Sequence, residues 1–260
     1  MEKKYSFREL MICAAAREIS DGDIVFVGMR LPLIAFVLAK KVYAPNAVGL
    51  FENGIIRSTP SPSLIYTMGD TPNLIGATHT GEMLTVMAYL QQGRVSVGFL
   101  GGAEVDRYGN LNSTTVKNGA EEIRLPGSGG ACDIASLAKK VLILMNHEKH
   151  RFVKKVNYLT SPGYGDGGDW RKNVGLIRGG PAAVISTKGV FDFNTDGVMQ
   201  VRSVHPGLTV DEVQDATGFD LDFGDETVET QPPTEEELSV IRDYDPSGFW
   251  TGWNSKERVN

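Results

Sequence analysis

Asp23-Ile24-Val25-Phe26-Val27-Gly28 and, two dozen residues on, Ala47-Val48-Gly49-Leu50-Phe51-Glu52-Asn53-Gly54 bracket the stretch that decides the fold. The first apolar run reads as a buried strand. Residues 32–41 read as a helix, with Pro32 in the first turn, where a missing N–H costs nothing. Residues 47–51 form a second short apolar strand that delivers the chain to Glu52. Upstream, Ser6-Phe7-Arg8-Glu9 has the form of a capping box, and the apolar face Phe7, Leu10, Met11, Ala14 and Ala15 predicts a helix. Downstream, strand-like runs recur at 95–100, 140–145, 182–186 and 189–193. Helical stretches fall at 81–92, 131–137, 208–217 and 235–242. Alternating strands and helices predict an α/β fold: an open, mostly parallel sheet with flanking helices. No linker divides the chain, so residues 1–260 read as a single domain with a peripheral C-terminal tail from about 246.

Composition narrows the function. Hydrophobic residues are 41% and charged residues 22% of 260, which is the balance of a globular chain. The apolar run at 31–39 ends at Lys40 and is far short of the about 20 residues that span a membrane. The charged first twenty residues lack the apolar block of a secretory leader. Two cysteines, Cys13 and Cys132, make neither a disulfide framework nor a zinc site, so a reduced, cytoplasmic protein is expected. The net charge of −6 argues against nucleic-acid binding. Eleven acidic residues and no Lys or Arg lie between Arg202 and Arg242. The rest of the chain is mildly basic and could accept a polyanionic small ligand, although acidic residues also simply solvate a surface.

Four segments could carry chemistry. Glu52 stands at the end of an apolar strand, where α/β sheets place their sites. Asn53-Gly54 then supplies a tight turn, though an acid before Asn-Gly is as readily an exposed turn residue. Pro126-Gly127-Ser128-Gly129-Gly130-Ala131 exposes successive backbone N–H groups before a helix, an arrangement that can hold an oxyanion or phosphate. An ordinary turn is the alternative, and a dinucleotide fingerprint lacks its last glycine. Residues 101–112, rich in Asp, Asn and Gly, suit a tightly hydrogen-bonded loop. Residues 147–155 form a basic cluster that could face phosphates, a partner subunit or only solvent. No metal motif is present: His147 and His150 lack a third ligand, and His79 and His205 are isolated. The G-x-S-x-G of serine hydrolases is missing too.

Taken together these segments resemble the β subunit of a family I coenzyme A transferase, in the branch of the glutaconate enzyme. The resemblance rests on Leu31-Pro32-Leu33, Tyr43-Ala44-Pro45, Glu52-Asn53-Gly54, residues 101–112, residues 127–131, His147-Glu148-Lys149, Thr160-Ser161-Pro162-Gly163, Gly189-Val190-Phe191-Asp192 and Thr217-Gly218-Phe219-Asp220, in one shared order. It implies Glu52 as the nucleophile and Asn53 and Gly54 as its turn. Gly129, Gly130 and Ala131 are implied as oxyanion and CoA-binding donors. Coenzyme A enters as a substrate, with no permanently bound cofactor and no metal. A separate α-type subunit completes the enzyme, with acyl-CoA and a carboxylic acid as substrates.

Arg30 and Arg57 stand where a 3-oxoacid transferase is expected to carry small residues. A guanidinium can pair with a substrate's second carboxylate, so a dicarboxylic acid is expected; salt bridges at a subunit interface are the alternative. Relatives that hydrolyse carbon–carbon bonds of CoA thioesters or decarboxylate them tend to lack the nucleophilic Glu. A non-catalytic structural subunit is the remaining reading.

Overall fold

The computed structural model describes residues 5–119, 121–224 and 226–254. The chain divides into two compact units, one built from the segments before Leu100 and after Thr230, the other being Leu100–Thr230. No linker marks the boundaries because the first falls inside a buried strand.

The first unit contains α1 (Phe7–Ala16), β1 (Ile24–Phe26), α2 (Leu31–Val42), β2 (Val48–Leu50), β3 (Ile55–Arg57), α3 (Thr71–Leu74), β4 (His79–Thr80), α4 (Met83–Gln91) and β5 (Val97–Leu100). The second contains β6 (Glu104–Val105), β7 (Leu111–Asn112), β8 (Thr115–Asn118), β9 (Glu121–Arg124), α5 (Ala131–Leu137), β10 (Lys140–Met145), α6 (Trp170–Asn173), β11 (Pro181–Ser186), β12 (Gly189–Phe193), β13 (Met199–Val204) and α7 (Val210–Asp215). Helix α8 (Glu235–Tyr244) returns to the first unit.

The fold is α/β, with helices flanking a sheet. In the first unit β1 pairs parallel with both β2 and β5, while β3 and β4 extend the sheet antiparallel. In the second, β10 and β11 are parallel and β12 and β13 add an antiparallel edge. Strands β3, β4 and β13 carry no apolar run long enough to announce them. Residues 101–112 include the short β6–β7 hairpin.

Helix α2 seats on the first unit's sheet through Phe36: a Cβ at Gly49 would lie 2.7 Å from its ring. Ser6 and Glu9 close the capping box of α1, and Glu9 also accepts from Arg242 of α8 at 2.8 Å. Glu237, fully buried, caps α8 with Thr234 and takes Arg17 at 2.7 Å. Burial alone would raise the Glu237 pKa, but hydrogen bonds from Arg17, Thr234 and Tyr43 hold it below the ordinary glutamate range. Burial likewise pushes the Cys13 thiol far up.

The C-terminal tail, expected from about 246, is hydrogen-bonded to the end of α8 through residues 249–251; residues 255–260 lie outside the described residues. The carboxylate of Asp245, itself buried, accepts from the N–H groups of Phe249, Trp250 and Thr251 and from the Thr251 hydroxyl. Among the described residues no helix is long and apolar enough to cross a membrane.

Candidate active site

Strand β2 ends at Leu50, and the chain turns back into β3 within four residues. Gly54 N–H donates to Phe51 O at 2.9 Å and Phe51 N–H to Ile55 O at 2.8 Å. With Gly54 at φ +97°, this is a three-residue hairpin loop with a glycine bulge. Such a loop needs turn-formers at its middle and glycine at its last position, which is the Glu-Asn-Gly order. Gly54 has a second reason to be glycine: a Cβ there would lie 2.3 Å from Gly81 O. Gly81 N–H in turn donates to Gly54 O at 3.0 Å. Asn53 Nδ2 donates to Met68 O at 2.8 Å, which also takes Asn73 Nδ2 at 2.9 Å. The turn is thus braced from two sides, and Glu52 sits half-buried at its start.

The neighbouring parallel strand ends at the same edge. Val27 N–H donates to Leu50 O at 2.8 Å, and the chain then runs through Gly28 to Arg30, just ahead of α2. Arg30 has φ 66° and ψ −124° and is the one non-glycine with positive φ among the described residues. A side chain there costs about 1–3 kcal/mol. Its guanidinium lies 5.6 Å from the Trp250 ring centroid. Trp250 Nε1 donates to Ile65 O at 3.2 Å, and Tyr66 packs edge-on against Phe249 at 4.7 Å. Residues 65–68 therefore touch both the Glu52 turn, through Met68 O, and the tail beneath Arg30. Sequence reading missed Tyr66, Met68, Gly81 and Trp250. The available signal was Phe249-Trp250 itself, since two adjacent aromatics in a tail imply something to pack against.

Arg57, expected to reach a substrate carboxylate, is corrected to a structural residue. It is 1% exposed. Its Nε donates to Thr59 O at 3.0 Å, Nη1 to Asn73 O at 2.6 Å, and Nη2 to Pro60 O at 3.1 Å and Ile75 O at 3.0 Å. Nothing is left for a ligand. Burial lowers its pKa, and carbonyl dipoles take the place of a counter-ion.

In the second unit the glycine loop is fastened to residues 113–114. Gly127 N–H donates to Ser113 O at 2.8 Å and Ser113 Oγ to Gly127 O at 2.9 Å. Gly127 and Gly129 have positive φ, and Gly130 caps α5. Ala131 N–H donates to Ser128 O at 3.0 Å, closing a turn at the start of α5. His147 is buried, not part of an exposed basic face. Its ring lies between the Ser186 and Thr217 hydroxyls, 2.9 Å from each, and stacks on Phe152 at 3.7 Å. Burial, with Lys188 and His205 nearby, lowers its pKa to about 3. Among the described residues no group of three His, Cys, Asp or Glu could hold a metal ion.

A strand-end glutamate on a glycine-bulged turn, in an α/β fold, matches a known class, and comparison with known proteins agrees. The coenzyme A transferase family matches residues 8–216, and the chain belongs to that family. It is 40% identical over 243 residues to the β subunit of 3-oxoadipate CoA-transferase from Pseudomonas knackmussii, covering 92% of each chain. It is 34% identical over 250 residues to the β subunit of glutaconate CoA-transferase from Acidaminococcus fermentans, again covering 92% of each. The crystal structure of that glutaconate enzyme superposes with a TM-score of 0.88 at 32% identity, covering 95% of this chain and 97% of that one. A cholesterol ring-cleaving hydrolase IpdB subunit of Mycobacterium tuberculosis is 31% identical over 245 residues, covering 90% of this chain and 92% of its own. The chain is thus a β-type subunit of the CoA-transferase family.

Proposed function

We propose that this chain supplies the nucleophilic carboxylate, Glu52, of a two-subunit enzyme that moves CoA from an acyl-CoA to a dicarboxylic acid. The observation that carries the reading is the braced Glu52 turn with Arg30 at the end of the adjacent parallel strand. Glu52 attacks the thioester carbonyl, giving a mixed anhydride and CoA thiolate. The thiolate attacks the Glu52 carbonyl carbon, releasing the first acid and leaving a glutamyl-CoA thioester. The second acid's carboxylate attacks that thioester, forming a new anhydride and freeing the thiolate. The thiolate then takes the acyl group, and Glu52 is restored. No redox or metal step is needed, and CoA is a substrate, not a resident cofactor. Arg30 pairs with the far carboxylate of the substrate. The relatives named for 3-oxoadipate and glutaconate support a dicarboxylate, since both acids carry two carboxyl groups. Gly129 and Gly130 keep the role the resemblance implies, as donors toward a CoA thioester.

An α-type subunit is the partner. Helix α4, which starts beside Gly81, is apolar yet buries only Val86 and Leu90. Met83 and Leu84 are 55% and 73% exposed, a face suited to another chain. Two free thiols, Cys13 and Cys132, suit the reduced cytoplasm.

The test is to incubate the chain with its α partner and an acyl-CoA, reduce with borohydride and map the modified peptide. Modification at Glu52 is expected, and Glu52→Gln should abolish transfer. Modification at another carboxylate, or none in an active enzyme, overturns the assignment. Hydrolysis or decarboxylation of the thioester without transfer to added acids would select the ring-cleaving type of chemistry instead. Inactivity with a cognate α subunit across a broad acid panel would leave a structural subunit.

A further inference from the structure

Arg30 is exposed at the strand edge that it shares with Glu52, and a long side chain in such a place is ordinarily free to turn. Among the described residues its guanidinium makes no ion pair and no hydrogen bond. What it meets is the ring of Trp250, 5.6 Å away at the centroid. A cation over a ring is attracted by the ring quadrupole, and indole is the best of the aromatic partners. The backbone adds a second constraint. At φ 66° and ψ −124°, a non-glycine residue persists only where its surroundings over-determine it.

The ring is fixed in its turn. Trp250 Nε1 donates to Ile65 O at 3.2 Å. Phe249 packs edge-on against the indole at 4.6 Å, and the Tyr66 ring lies at 6.5 Å. The segment that carries these aromatics is wound around Asp245, which is 0% exposed at the end of α8. Its carboxylate takes Phe249 N–H at 2.8 Å, Trp250 N–H at 3.0 Å, and Thr251 through N–H at 3.0 Å and hydroxyl at 2.9 Å. The helix dipole disfavours an anion at a C-terminus, so these donors take the place of a cation. Trp253 Nε1 closes the segment on Asp245 O at 2.9 Å. All of these residues belong to the first unit.

We infer that Trp250 is a positioning residue for substrate selection: the C-terminal tail holds the Arg30 guanidinium in place at the edge where Glu52 stands. The inference rests on the reading of Arg30 as the partner of the substrate's far carboxylate, and it names what makes that contact selective. Ordering one rotamer-rich side chain on binding weakens affinity by about two- to twelvefold. An arginine already seated on Trp250 avoids that loss. The tail is then part of the device that tells a dicarboxylic acid from a monocarboxylic one.

The test compares wild type, Trp250→Leu, Trp250→Phe, Arg30→Ala and the Arg30→Ala/Trp250→Leu double variant, each assembled with the α subunit. The kcat and KM are measured for the linear dicarboxylates from succinate to adipate and for the monocarboxylates of the same chain length. Trp250→Leu should lower the dicarboxylate preference, as the ratio of kcat/KM values, about three- to tenfold and through KM. Trp250→Phe keeps a ring for the cation and should recover most of that loss. In the Arg30→Ala background, Trp250→Leu should change the preference by less than about twofold, since the group that it positions is gone. An unchanged preference in Trp250→Leu would overturn the inference, as would the same loss in the Arg30→Ala background. Equal losses on both kinds of acid through kcat would overturn it too, and would assign Trp250 to the 65–68 segment that braces the Glu52 turn. Failure of the underlying reading has a different signature: Arg30→Ala would itself leave the preference untouched. A complex that transfers CoA to no acid at all would overturn the transferase reading and this inference together.

Discussion

Replacing Arg30 by glycine separates what its side chain does from what its backbone costs. Arg30 holds φ 66° and ψ −124°, a conformation open to glycine and worth about 1–3 kcal/mol of strain for any other residue. Arg30→Gly relieves that strain and loses the contact with Trp250, which at an exposed site is worth about 0.5–1 kcal/mol. The net is a gain of about 1 kcal/mol in stability, or roughly 2–4 °C in Tm. Arg30→Ala loses the same contact and keeps the strain, so it should be less stable than both wild type and Arg30→Gly. Both variants lose the guanidinium. A charge-assisted contact of about 1.5–3 kcal/mol predicts a 10- to 150-fold fall in kcat/KM for a dicarboxylic acid relative to a matched monocarboxylic one. Urea unfolding of the three proteins and kinetics of their complexes with the α subunit measure the two effects independently. Arg30→Gly less stable than Arg30→Ala would refute the strain argument. Equal kinetic losses on both acids would refute the carboxylate contact.

Two further outcomes follow from buried groups. Arg57→Leu strands the carbonyls of Thr59, Pro60, Asn73 and Ile75, so chemical denaturation should show a loss of at least about 3 kcal/mol; a loss under 1 kcal/mol would mean that the clamp is not needed. His147 has a folded pKa near 3 against an ordinary 6.5, so the unfolded chain takes up a proton that the folded chain refuses. Stability should therefore be lost as pH falls below about 6.5, by up to about 1.4 kcal/mol per pH unit and down toward pH 3. His147→Gln should flatten that slope in pH-dependent unfolding, and an unaltered slope would assign it to other groups.

The parts of the fold that were legible are those where burial leaves a pattern. β1, α2 and β2 are continuous apolar runs, because strands and a helix covered on both sides need no polar face. The capping box at Ser6 was legible because its chemistry lies within four residues. Strands β3 and β4 were not, since Ile55–Arg57 runs into a charged residue and His79–Thr80 is polar and exposed, so neither extends an apolar run. The two-unit division was hidden for a different reason. Its boundaries at Leu100 and Thr230 interrupt contacts between segments distant in sequence, and composition records nothing of those contacts.

The two arginines show where sequence proximity to a nucleophile stops being informative. Arg30 is 22 positions from Glu52 and Arg57 only five, yet the more distant residue shares the strand edge. The cause is the hairpin. β1 and β2 run parallel, so their C-terminal ends come to one edge, and whatever follows each strand is brought there together. β3 runs antiparallel to β2, so each residue after Gly54 carries the chain back from the turn along the sheet. By Arg57, which pairs with Gly49, the chain is level with the middle of β2 and in the interior. A guanidinium placed there must find acceptors inside the protein, and the 59–75 loop folds its carbonyls around it. That loop also carries Met68, whose carbonyl takes the Asn53 side chain. Arg57 therefore bears on the nucleophile through the loop it organises, so its loss should loosen the Glu52 turn from one of its two braces.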